Sequence, residues 1–134
     1  MEGNDLVAIA LPNGIDHHIA SYAVWCAGAT PCILPAKLPG RELAQLIELA
    51  QPRVLIWRGE DAFDGVTRIA SEAGDAMAEL PGDLAAAHWK AVASGGSTGR
   101  PKLIVDHAEA RFGDRLAGIC DLVGMPRGGV MFKG

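Results

Sequence analysis

The chain has 134 residues, 49% of them hydrophobic and 21% charged, with a formal net charge of -4. That length suits one modest α/β domain, and the acidic balance with no basic cluster argues against a nucleic-acid surface. Three cysteines, Cys26, Cys32 and Cys120, contain no C-x-x-C pair, so neither a zinc site nor a disulfide framework is indicated.

The elements follow in chain order. Leu6 to Leu11 is an apolar run closed by Pro12-Asn13-Gly14, the pattern of a buried strand and a turn. A helix follows, with Ile15, Ile19, Tyr22, Ala23 and Cys26 on one face and Gly28 at its end. Cys32-Ile33-Leu34 is a second strand. Residues 19–36 carry no charge, but Pro31 and Pro35 interrupt them, so a helix and a buried strand fit better than a membrane span. Pro39-Gly40 opens a helix with Leu43, Leu46, Ile47 and Ala50 at helical spacing, and Pro52 stops it. Val54 to Trp57 is a third strand. Phe63, Val66, Ile69, Ala70 and Ala73 predict a third helix capped by Gly74. Met77 to Leu80 could be a short strand. His88 to Ala93 and Leu103 to Asp106 are strands on either side of a glycine-rich segment. Phe112, Leu116, Ile119, Cys120 and Val123 have helical spacing, weakened by Gly113 and Gly118. Gly128 to Phe132 reads as a turn entering a strand. The alternation of strand and helix implies a mainly parallel sheet with helices on both faces.

The glycine-rich segment is Ser94-Gly95-Gly96-Ser97-Thr98-Gly99-Arg100-Pro101-Lys102. Glycines allow close backbone approach, and successive free amides can form an anion-binding concavity. Ser97 and Thr98 add hydroxyl donors, and Lys102 adds a positive charge. A plain Gly-Ser linker would not need the ordered Thr-Gly-x-Pro-Lys ending. The segment is not a Walker A loop, because no Gly-Lys-Ser/Thr closes it, and it contains no G-x-G-x-x-G. Arg100 is read as solvated. His17 and His18 lie early in a helix with no partner at metal-ligand spacing. His107 ends the strand after the loop, where it reads as a strand-end polar cap. Asp61, Asp64, Glu72, Asp75 and Glu79 read as solvated faces. The cysteines lie in apolar surroundings, which fits buried thiols in a reducing, cytoplasmic compartment. Met1-Glu2-Gly3-Asn4-Asp5 lacks the basic start of a signal peptide.

The loop resembles the phosphate-binding loop of the adenylate-forming ligases, whose signature runs roughly [ST]-[SG]-G-[ST]-T-G-x-P-K. Ser94, Gly95, Gly96, Ser97, Thr98, Gly99, Pro101 and Lys102 match it. Val7-Ala8-Ile9-Ala10-Leu11-Pro12-Asn13, Ala27-Gly28-Ala29 and Pro39-Gly40-Arg41-Glu42-Leu43 are similar to the family's upstream pattern. Leu103 replaces the usual glycine after the lysine, a departure similar to ligases of the bile-acid-CoA type. The resemblance covers about the first hundred residues. It implies the N-terminal part of an acyl-CoA synthetase that uses ATP with Mg²⁺, a carboxylic acid such as a fatty acid, and coenzyme A. In that reading Ser94, Gly95, Gly96, Ser97, Thr98, Gly99 and Lys102 hold the ATP phosphates, with Lys102 on the terminal ones, and Asp106-His107 stands where the family often has a Thr-His pair near the nucleotide, the alternative to a strand-end cap for His107. The family's Tyr-Gly-x-Thr-Glu and Asp-Gly-Trp…Thr-Gly-Asp motifs are missing from the sequence. The chain is therefore expected to be an incomplete domain, inactive alone, that covers its exposed apolar segments by forming a homodimer. The alternatives are a stand-alone nucleotide- or phosphate-binding module, and an assembly protein with a vestigial loop.

Overall fold

Six strands form one sheet in the computed structural model, which describes residues 5–70, 85–94, 101–108 and 110. The elements are β1 (Leu6–Ala10), α1 (Ile15–Cys26), β2 (Thr30–Ile33), α2 (Gly40–Ala50), β3 (Val54–Trp57), β4 (Thr67–Ile69), β5 (Lys90–Ser94) and β6 (Lys102–Asp106). The strand order is β4-β3-β1-β2-β5-β6. All neighbouring pairs are parallel except β5 with β6, which are antiparallel. The sequence expectation of a mainly parallel α/β sheet holds.

The chain moves one way from β1 to β2 and back across β1 to reach β3. Crossovers of a single hand then place α1 and α2 on opposite faces. The core divides accordingly. Val7, Ile9 and Leu11 point with Ile56 toward Ala20 and Val24 of α1. Ala8, Ala10, Cys32, Leu34, Leu55 and Ala91 meet Leu43, Leu46, Ile47 and Ala50 of α2. Strand side chains alternate faces, so β1 serves both cores and reads as one unbroken apolar run.

α2 buries the four residues that the spacing singled out, and Gln51 ends it in the left-handed region at φ 45. Helix α1 departs from expectation. Its stripe of Ile15, Ile19 and Tyr22 is exposed, and it buries Ala20, Ser21 and Val24 instead. Small side chains let the helix approach the sheet closely, and the Ser21 hydroxyl is satisfied by donating to the His17 carbonyl at 2.9 Å. Gly28 ends the helix at φ 72, as the sequence indicated.

The third predicted helix is not formed in its described part. Asp64 and Gly65 make a turn, with Gly65 at φ 73, and Thr67–Ile69 pairs with β3. The turn dipeptide and the β-branched residues Val66, Thr67 and Ile69 outweigh the helical spacing. Phe63 and Val66 still reach the α2-side core. The expected elements at 77–80, 112–123 and 128–132, and the cap at Gly74, lie outside the described residues. No helix among the described residues is long and apolar enough to cross a membrane.

Burial pushes the Cys32 thiol from its ordinary value of 9.0 up to about 11, because the thiolate would lose its hydration. The unfolded chain releases this proton first, so Cys32 costs no stability below its ordinary pKa. Between roughly pH 9 and 11 it lowers stability by up to about 1.4 kcal/mol per pH unit. Urea midpoints for the parent and Cys32→Ala, measured from neutral to alkaline pH, should show the parent losing stability more steeply. Parallel losses would contradict the assignment.

Candidate functional site

The β5–β6 hairpin positions the glycine-rich segment. Five residue pairs define its register, from Lys90↔Asp106 to Ser94↔Lys102. Ser94 ends β5 half-buried, and Lys102 opens β6 exposed to solvent. The two residues therefore face each other across the last rung of the ladder, at the carboxyl edge of the parallel sheet. Ligands of open α/β sheets bind in the crevice at that edge. The other proposed loop residues, Gly95, Gly96, Ser97, Thr98 and Gly99, lie outside the described residues, as does Arg100.

Two contacts fix the hairpin against the sheet. β5 pairs with β2 through Cys32↔Ala91 and Ile33↔Val92. On the α1 side, the Trp25 indole stacks on Trp89 with ring centroids 4.5 Å apart, and its Nε1 donates to the Trp89 carbonyl at 2.7 Å. The hydrogen bond is worth about 0.5–1.5 kcal/mol net, and the stack is worth a comparable amount. Tyr22 meets Trp25 edge-on at 5.4 Å. Nothing in the sequence pattern joins these two tryptophans, 64 residues apart.

A crevice of about 620 Å³ opens at the ends of β1, β2 and β5. Asn13, His17 and Lys37 contribute its polar groups, and Leu11, Ile33 and Val92 line its apolar side. Sequence reasoning did not assign these three polar residues to a site. Asn13 lay in a turn, His17 on a helix, and Lys37 in a loop, with no shared motif to join them.

His107 is at the other end of the hairpin. It follows Asp106, whose pairing partner is Lys90, so it stands about 17 Å along the strand from the Ser94–Lys102 rung. The Asp106 carboxylate accepts from the Ala108 amide at 3.1 Å, which makes this a capped strand end. His107 packs edge-on against His88, with centroids 4.8 Å apart. Of its two sequence readings, the strand-end one fits. No cluster of three His, Cys, Asp or Glu residues suited to a metal is present among the described residues, and His17 and His18 form none.

The described fold is a mostly parallel sheet with a helix on each face and the β5–β6 hairpin at its carboxyl edge. The sequence pattern of the AMP-binding enzyme family matches residues 1–110, and the chain belongs to that family. It is 29% identical over 102 residues to the dapdiamide synthesis protein DdaD of Enterobacter agglomerans, which covers 75% of this chain and 17% of that protein. Among solved structures, the N-terminal subdomain of Klebsiella oxytoca NpsA in complex with 3-hydroxybenzoyl-AMSN superimposes with a TM-score of 0.62 at 21% identity, covering 80% of this chain and 29% of that one. The o-succinylbenzoate CoA synthetase MenE of Bacillus subtilis, with its acyl-adenylate OSB-AMP, superimposes with a TM-score of 0.65 at 20% identity, covering 90% of this chain and 33% of that one. The chain thus spans a third or less of the length of these proteins.

Proposed function

We propose that this chain supplies the phosphate-binding part of an ATP-dependent acyl-CoA synthetase. The observation that carries the reading is the hairpin, which sets Ser94 and Lys102 on facing strands at the two ends of a Gly-Ser-Thr segment. Family membership and the acyl-adenylate bound to MenE support it. In the first half-reaction a carboxylate oxygen attacks the α-phosphorus of ATP. The bond to the bridging oxygen breaks, and pyrophosphate leaves with the bonding electrons. In the second, the thiol of coenzyme A adds to the acyl carbonyl, loses its proton, and AMP departs.

The part given to this chain is electrostatic. Lys102 neutralises charge on the terminal phosphates. Ser94, Ser97, Thr98 and the amides of Gly95, Gly96 and Gly99 donate to phosphate oxygens and hold the chain of phosphates in line. Lys102 is solvent-exposed, so its ammonium is free to meet an incoming anion. In this reading Mg²⁺, bound with the ATP phosphates, would share the charge neutralisation with Lys102 and the loop donors. A fatty or bile-acid-like substrate rests on sequence resemblance alone, and a cytoplasmic setting on reading the cysteines as buried thiols. A nucleotide-binding module without turnover is the second reading, supported by the small share of each relative that the chain spans.

Self-association is also proposed. Ile15, Ile19, Tyr22 and Ile104 are each more than half exposed, from 51% to 78%, and large apolar patches on soluble domains tend to be covered. The segments expected from sequence to contribute, around Phe112, Leu116, Ile119 and Val130 to Phe132, lie outside the described residues. Sedimentation velocity on the chain should show a dimer at micromolar concentration, and a monomer would sink the proposal.

In an enzyme containing this chain, Lys102→Ala should lower ATP–pyrophosphate exchange at least about tenfold, the scale of a lost charge contact made in the transition state. Unchanged exchange would remove Lys102 from the site. ATP bound by the enzyme without any exchange would favour the module reading.

A further inference from the structure

One row of β-branched residues crosses the whole sheet on its α1 side. Ile69, Ile56, Ile9, Ile33, Val92 and Ile104 are successive neighbours from β4 to β6. The middle of the row is buried with α1, at Ile9 and Ile56. Its ends are open: Ile69 is 48% exposed and Ile104 is 54% exposed. Among the described residues, β4 and β6 each have a neighbouring strand on one side only. An edge strand presents unpaired amides and carbonyls, a template for another strand.

The two edges differ in what they can pair with. β6 reads Lys102-Leu103-Ile104-Val105-Asp106. Placed antiparallel to β6 of a second copy, about a two-fold axis at Ile104, it pairs every residue. Lys102 then faces the partner's Asp106, Leu103 faces the partner's Val105, and Ile104 faces its own equivalent. Leu103 and Val105 pack on the α2 side, so alternation puts Lys102, Ile104 and Asp106 on the other face. The axis is perpendicular to the sheet and keeps like faces together. The opposite charges therefore meet on one face, and the apolar row runs on into the partner's. Parallel pairing in register would instead set lysine against lysine. β4 fails in the same way, because antiparallel pairing of Thr67–Ile69 sets Arg68 against its own equivalent. Like charges directly opposite are destabilising. Pairing β4 of one copy with β6 of the next is head-to-tail and does not close as a dimer. Pro101 has no N–H, so the ladder stops at Lys102.

We propose that β6 is the self-association surface, pairing antiparallel with β6 of a second copy to form one continuous sheet. The inference rests on the self-association reading above and gives it a place in the fold. Exposed Lys–Asp pairs are worth little singly, so they select the register without withholding Lys102 from an anion. The Asp106 carboxylate keeps its bond from the Ala108 amide and has further lone pairs for a lysine.

The test joins sedimentation velocity with amide hydrogen exchange on the full chain. As concentration rises through the monomer–dimer transition, exchange should slow at alternate residues of β6 and stay constant in β4. This part needs no variant. Lys102→Asp and Asp106→Lys each set like charges opposite and should each weaken the dimer at least about fivefold. An equimolar mixture of the two restores opposite charges in both pairs and should recover the dimer as a heterodimer. Ile104→Lys, at an exposed position, should be monomeric with the circular dichroism of the parent. A dimer whose β6 amides exchange equally at every concentration would overturn this surface and leave self-association standing. A mixture that associates no more tightly than either variant alone would do the same. A chain that stays monomeric would overturn both.

Discussion

The pairing of β5 with β2 is the interaction on which the rest of the site depends. Cys32↔Ala91 and Ile33↔Val92 attach a hairpin, distant in sequence, to the parallel sheet. Without that attachment, Ser94 and Lys102 would have no fixed relation to the crevice. The join is reinforced on each face. Ala91 and Ala93 pack with Leu103 and Val105 in the α2-side core. On the other face the Trp25–Trp89 stack and hydrogen bond tie α1 to the entry of β5. An aromatic pair is a large contact for a core otherwise rich in alanine, which explains how so short a β2–β5 ladder can hold the hairpin strands in place.

The small-residue core has a second consequence. Ala8, Ala10, Ala20, Ala50 and Ala91 are almost wholly buried, so helices and strands approach closely and leave little room for bulk. The larger apolar side chains of α1 are then displaced outward. Ile15 is 78% exposed and Tyr22 is 51% exposed. Polar contacts hold the opposite edge. Arg58 pairs with Asp16, Arg53 pairs with Asp5 at 3.3 Å, and the Arg68 guanidinium donates to the Gly59 carbonyl at 2.9 Å. These pairs are exposed and worth little singly, so burial on the two faces of β1 supplies most of the order.

Much of this architecture was legible from residue patterns. Unbroken apolar runs such as Val54 to Trp57 mark strands buried on both faces, and the Leu43, Leu46, Ile47, Ala50 spacing marks a helix with one buried side. Two errors have physical causes. On α1, apolar residues lie all round the helix, so spacing could not tell which side meets the sheet; side-chain size decided it. At Phe63 to Ile69, helical spacing coincided with a turn dipeptide and β-branched residues, and pairing to β3 prevailed. The phosphate-loop motif stood out because its residues are contiguous. The crevice did not, because Asn13, His17 and Lys37 meet only through the fold, after two crossovers bring three strand ends together.

The central claim is that ATP phosphates bind at the tip of the β5–β6 hairpin, at the carboxyl edge of the sheet. A crystal structure of the chain grown with Mg²⁺ and ATP tests it most directly. The account predicts a triphosphate at the hairpin tip, with oxygens about 3 Å from Lys102 Nζ and from the hydroxyl of Ser94 or Thr98. A nucleotide bound at another edge of the sheet, with Ser94 and Lys102 untouched, would contradict it.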